Sequence, residues 1–280
     1  MSREDKRKAN PTPEERFFSG IQGVPLKDWE KGREFIAADD KALLIFDGIQ
    51  PEFFPDSVKF KGKILKYDGL QHKMSPAGVL TASIIFSDDF MPYVYDTGKP
   101  SDTAPETLFS NEIPMLIDRQ LIEEAANLLK GKQLWTRSNL WYDENEQRID
   151  GKKYVEVVVE NVDAGNLAFP LKLTLRTLDN EVFNMFMNLG NSDTESRAFH
   201  NLFSISDIKK HYPDISPEFW DLICNGKVSI GMTKQECRLA LGNPIETSSG
   251  HDYSQTLDIW SYDNGKVLWF EDGKLVRFKG

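Results

Sequence analysis

Cys224 and His251 are the residues of this chain whose types could form a nucleophile and its base, the pair a thiol hydrolase uses to pass through a covalent intermediate. A working thiolate needs partial exposure and a positive neighbourhood, usually at a helix start. Cys224 instead closes an apolar helical run, FWDLIC, just before Asn225 and Gly226. Cys237 also has apolar neighbours on a predicted helix, so both cysteines read as buried free thiols and not as a disulfide framework. The four histidines, His72, His200, His211 and His251, stand at no helical ligand spacing from one another or from a cysteine, so local sequence builds no zinc site. Residues 143–154 open like a calcium loop with Asp143, Asn145 and Gln147. Arg148, however, stands where the sharp turn needs glycine, and Tyr154 replaces the closing glutamate, so a polar hairpin is expected. There is no Gly-x-Ser-x-Gly elbow and no phosphate-binding glycine loop, and the paired acids Asp39-Asp40 and Asp88-Asp89 read as solvated turn residues. No catalytic residue, no metal and no cofactor is expected.

The elements that would position any site begin after a charged, proline-bearing stretch, 1–16, which reads as a mobile leader. A first β-rich module is expected over 17–115, where FIA, ALLIF, ILKY, VLTASIIF and YVY are separated by Asp, Gly and Pro. A helix then follows from 117 to 130, with apolar residues at Ile117, Leu121, Ile122, Ala125, Leu128 and Leu129, Asp118 as its cap and Gly131 as its stop. It opens a second module, 116–200, in which QLWTRSNLWYD, KYVEVVVENV, LAFPLKLTLRT and VFNMFMNL predict a four-stranded meander. Both β regions start on a Gly-Lys pair, in KFKGKILKY and LLKGKQLWT, a weak internal duplication. They resemble bacterial SH3-like β modules. That resemblance implies small barrels that bind peptides on an aromatic surface, for which Trp135, Trp141 and Tyr142 are the candidates, with core packing as the alternative role for at least two of them. SH3-like domains also accompany bacterial peptidases that cut cell-wall peptides, which leaves a hydrolase using Cys224 and His251 as one alternative function. A small-ligand or glycan-binding protein is another.

The last region, 201–280, is the most explicit. Ser216-Pro217-Glu218 starts one helix, while Thr233 and Glu236 form a Thr-x-x-Glu capping box on the next, with Met232 and Cys237 as its hydrophobic staple and Gly242 and Pro244 as its end. After a polar loop through 251–255, strands are predicted at 257–262, 266–270 and 274–278, joined by Asn264-Gly265 and Asp272-Gly273. Alternation puts Leu268 with Phe270, and Val276 with Phe278, on the face that covers the helix. The run GMTKQECRLALGNP followed by IWSYDNGKVLWFEDGKLVRF resembles the SmpA/OmlA family, the lipoprotein group that includes the BamE component of the outer-membrane β-barrel assembly machine. The resemblance implies helices on a three-stranded sheet and action by protein contacts without catalysis. It departs in one respect: the family begins with an export signal and an acylated cysteine, whereas this chain begins MSREDKRKANP.

The fold expected is therefore α+β and mainly β: one or two SH3-like small barrels followed by a C-terminal α+β domain with helices on a three-stranded antiparallel meander. With 44 acidic against 34 basic residues and a net charge of -10, the chain is a poor match for phosphate backbones, so nucleic acid is not an expected partner. No apolar run approaches the roughly 20 residues of a membrane-spanning helix, and no export signal is visible. The expected location is the cytoplasm, or the periplasm and cell envelope if a leader was removed. The function read from these features is that of a bacterial binding or structural protein whose partner is another protein or a peptide.

Overall fold

The computed structural model describes residues 10–49, 59–75, 78–189, 197–252 and 255–280, with the backbone alone at 251, 252 and 255. In chain order the elements are α1 (Pro13–Phe18), β1 (Glu34–Ala37), β2 (Ile64–Met74), β3 (Leu80–Ser87), β4 (Pro92–Pro100), α2 (Ala104–Thr107), β5 (Leu116–Asp118) and α3 (Arg119–Leu129). There follow β6 (Gln133–Thr136), β7 (Leu140–Tyr142), β8 (Arg148–Asp150), β9 (Glu156–Ala164), β10 (Leu171–Thr177), β11 (Val182–Met187) and α4 (Phe199–Leu202). The chain closes with β12 (Phe203–Ser204), α5 (Pro217–Cys224), α6 (Lys234–Leu241), β13 (Glu246–Asp252), β14 (Gln255–Ser261), β15 (Val267–Glu271) and β16 (Lys274–Lys279). The protein is mainly β, with several antiparallel sheets. It divides into two compact units, Met1–Lys132 with Val158–Arg176 and Val182–Leu202, and Gln133–Val157 with Thr177–Glu181 and Phe203–Gly280.

In the first unit, β1 to β5 form one sheet in the order β4-β3-β2-β1-β5. Its core is aromatic: Trp29 lies 4.9 Å from Phe35, Phe35 meets Phe86 edge-on at 5.3 Å, and Phe46 bridges Phe60, Phe86 and Tyr93. Such rings supply large buried area with oriented contacts. Residues 1–9 of the expected leader lie outside the described residues, and its end is helix. Thr12 and Glu15 exchange side-chain bonds with each other's amides in a capping box that starts α1. The ALLIF run, expected as a strand, is a 3-10 turn over Asp40–Ile45. Asp39 caps it at the Lys41 amide, and Asp40 accepts from the amides of Phe60 and Lys61, so the two acids hold backbone. Helix α3 buries Leu121, Ile122, Ala125 and Leu129 as its spacing requires, and Asp118 caps it through the Gln120 amide. Arg33 is buried against the same Asp118 carboxylate at 2.5 Å.

In the second unit, β6 pairs with β12 and β7 with β8, and in the first β10 and β11 pair as a hairpin; the strand order β6-β9-β10-β11 is that of the expected four-stranded meander. The run QLWTRSNLWYD breaks because Ser138 turns the chain, its hydroxyl accepting from the Leu140 amide at 3.2 Å. Helices α5 and α6 carry the predicted caps, with Ser216 on the Phe219 amide and the Thr233–Glu236 box complete. Met232 and Cys237 are both fully buried in a core with Trp220, Ile223, Trp260, Leu268 and Phe270. The terminal sheet has four strands, not three, because Glu246–Asp252 pairs along β14 in a run, ETSSGHD, that shows no apolar alternation. A register shift at Trp269 and Phe270 sets Leu275 opposite Phe270 and Phe278 opposite Leu268, with Val276 left over. Leu275 is therefore the residue that β16 buries, where alternation had selected Val276.

Candidate functional site

Thr136 is the residue from which the candidate site is built. Fully buried on β6, it uses its hydroxyl to donate to the Lys152 carbonyl at 2.9 Å and to accept from the Val155 amide at 3.3 Å. Its own backbone bonds Val155 and Tyr154, so four residues of loop are fastened alongside the strand. Within that loop Tyr154 has φ 57, a left-handed conformation that bulky residues rarely adopt. Tertiary contacts hold it there. Its hydroxyl donates to the Leu239 carbonyl at 3.0 Å, and its ring meets Trp220 edge-on at 5.9 Å. The neighbouring Lys153 donates its amide to the Cys224 carbonyl and its Nζ to the Ala240 carbonyl. Leu239 and Ala240 belong to the last turn of α6, whose carbonyls lack intrahelical partners, so this loop completes the helix's C-terminus. Burial pushes the Tyr154 hydroxyl up to about 12 and the Lys153 ammonium below its ordinary value.

Beside the loop opens a cleft of about 330 Å³. Trp135, Trp141, Tyr154, Val155 and Leu178 give it apolar wall, and Glu156, Asp179, Glu181 and Asp207 outnumber Lys152 and Lys209 among its charged groups. Leu178 sits 69% exposed in the turn after β10, where Asn180 takes φ 64. Of the three aromatic residues picked out by sequence, Trp135 and Trp141 line this cleft and Tyr142 does not. Adjacent residues on a strand point to opposite faces, so Trp141 and Tyr142 of β7 could not share one surface. Trp141 is buried, at 1% exposure, and serves as inner wall. The indole lies against Gly151, at which a Cβ would come within 2.5 Å of Trp141 Cγ and 2.6 Å of the Asn139 carbonyl. Tyr154, Lys152 and the 177–181 turn carry no motif; a leucine at the tip of a polar turn was their one legible sign.

The pair named for the alternative hydrolase, Cys224 and His251, divides differently. Cys224 is buried, and desolvation raises its thiol against the opposing influence of Lys209 and Lys152, the reverse of the depression that activates a thiol nucleophile. The side chain of His251 lies outside the described residues. In the 143–154 segment, Asp143 Oδ1 accepts from the amides of Asn145 and Gln147, which makes it the anchor of the β7–β8 turn. No group of three or more His, Cys, Asp or Glu residues able to hold a metal occurs among the described residues. No helix among them is long and apolar enough to cross a membrane.

These features define a mainly β protein with an open cleft of aromatic wall and acidic rim. Set against known protein families, curated proteins and solved structures, the chain matches none of them.

Proposed function

We propose that this is a non-catalytic bacterial binding protein, SH3-like in its β modules and SmpA/OmlA-like in its terminal domain, that holds another protein or a peptide in the Trp135 cleft. The observation that carries the reading is the cleft itself: about 330 Å³ of open space walled by Trp135, Tyr154 and Val155, with no cysteine, serine or histidine among its lining residues. Aromatic side chains beside an acidic rim suit an extended peptide with a basic side chain, whose cation can lie against an indole face. An envelope location rests on the resemblance of the terminal run to a family of envelope lipoproteins.

The test is photo-crosslinking in bacterial cells from a photoreactive residue at Leu178, on the cleft rim. A specific protein adduct that disappears in Trp135→Ala is the expected result. No adduct under several growth conditions, or one unaffected by Trp135→Ala, overturns the reading. Slow alkylation of Cys224 by iodoacetamide at neutral pH is expected alongside it; fast alkylation would favour the thiol hydrolase instead.

A further inference from the structure

The hairpin between β3 and β4 holds a phenyl ring out in solvent on a turn that is built, not loose. Phe90 is 92% exposed and Met91 50% exposed. Beneath them, Asp88 Oδ1 accepts from the amides of Phe90 and Met91, each at 2.8 Å, and Oδ2 accepts from the Tyr93 hydroxyl at 2.9 Å. Lys63 completes the arrangement as the ion-pair partner of Asp88, with its Nζ over the rings of Phe60 and Tyr93. Burial alone would raise the Asp88 pKa, but Lys63, the two amides and the tyrosine hydroxyl together hold the carboxyl well below the usual range. The carboxylate therefore stays charged at neutral pH, and the turn keeps its shape. Next to the ring, Asp89 is 87% exposed, with Lys66 at 3.9 Å. A large apolar side chain carried on an anchored turn is presented for docking with little backbone freedom left to lose on contact.

The second unit carries a groove with the complementary character. The register shift in β16 leaves Phe278 at the margin of the core, 44% exposed, where it lines a groove of about 260 Å³ with Leu222, Val228 and Leu268. Lys227, Lys266 and Lys279 frame it. None of the three has an ion-pair partner among the described residues. In a chain of net charge -10, an apolar floor with a lysine rim is an electropositive exception.

We propose that Phe90 of one copy seats in the Phe278 groove of a second copy, with the Asp89 carboxylate meeting the lysine rim. Charge selects this occupant. A lipid surface would draw Asp89 toward hydrocarbon, and a knob-to-knob contact would set two Asp89 carboxylates together. The knob and the groove are different patches, so the contact is heterologous and joins copies head to tail.

Sedimentation velocity of the full chain from about 1 μM to about 1 mM spans the dissociation constants of weak contacts of this size. Mass that rises with concentration is expected, and monomer throughout overturns the proposal. Phe90→Ala should weaken association about tenfold or more, since one buried aromatic ring is worth at least that factor. Its amide and the Asp88 turn are retained, so the urea midpoint should stay at the wild-type value. Lys279→Glu and Asp89→Lys should each weaken association, and the two together should restore part of it. Association that survives Phe90→Ala removes the knob, and association indifferent to both charge reversals removes the groove. Mixed isotope-labelled copies provide a second readout, independent of variants. Amine crosslinks from Lys66 of one copy to Lys266 or Lys279 of another are expected, and their absence at concentrations where mass rises overturns the pairing.

Discussion

Helix α6 and the loop 151–155 meet in the second unit, yet they reach their conformations by opposite routes. The helix carries its instructions locally: Thr233 and Glu236 satisfy amides at one end, and Gly242 takes φ 87 at the other. The loop carries almost none. Tyr154 sits in a left-handed conformation that costs a non-glycine residue on the order of 1–3 kcal/mol, and Thr136, Leu239 and Trp220 hold it there from distant parts of the sequence. The two regions are nonetheless coupled, because Lys153 and Tyr154 supply the donors that the last carbonyls of α6 lack. An element legible from its own residues can thus depend at one end on an element that is not.

If that contrast is right, the largest loss of stability should come from the loop. Tyr154→Ala removes a ring packed on Trp220 and a bond to the helix, and should cost about 3 kcal/mol, somewhat short of a fully buried aromatic truncation. Urea unfolding with a tryptophan signal measures it. A cost below that of Thr233→Ala would break the comparison. Next comes Gly151→Ala, whose new Cβ would meet the Trp141 indole and the Asn139 carbonyl; overpacking of this kind costs about 1–3 kcal/mol. A neutral effect there would mean that the inner wall of the cleft yields, and that Trp141 is not fixed.

The same contrast accounts for what the sequence made visible. The Thr233–Glu236 capping box, the Ser216-Pro217 start and the spacing of Leu121, Ile122, Ala125 and Leu129 are short-range signals, each with a fixed offset, and they read correctly. Failures occurred where tertiary pairing outweighed pattern. Glu246–Asp252 forms a strand because β14 offers a backbone partner along its length, though its side chains show no period. The bulge in β16 changes parity partway along, so simple alternation chose Val276 over Leu275. Two of the cleft's three aromatic lining residues were visible, Trp135 and Trp141, and Tyr154 was not. Tyr142 was included as a third aromatic of the SH3-like surface, and strand geometry turns it to the opposite face from Trp141. Much of the remainder comes from segments 42 to 74 residues beyond Trp135, at Thr177–Glu181 and at Asp207 and Lys209, that only the fold brings near it.

Thr233→Ala tests the legible side of the comparison. Losing a threonine N-cap costs about 1 kcal/mol, and the effect should add to that of Tyr154→Phe, which removes only the hydroxyl bond and costs about 1 kcal/mol. Strong non-additivity in the double variant would show that the two ends of α6 act as one unit.

The smallest effect, and the one with a sign, concerns pH. Burial lowers the Lys153 pKa, so between that folded value and the ordinary value of about 10.4 the unfolded chain binds more of this proton than the folded chain does. Stability contributed by this site therefore rises with pH across the window. Tyrosines and cysteines titrate in the same range, so the useful quantity is the difference between wild type and Lys153→Met, which cancels their contributions. The urea midpoint of the wild type should gain on that of the variant from pH 7 to pH 10. A difference that shrinks over the same range would mean that the Ala240 carbonyl and the helix C-terminus stabilise the ammonium more than burial penalises it, and the loop would then act as a charged cap on α6.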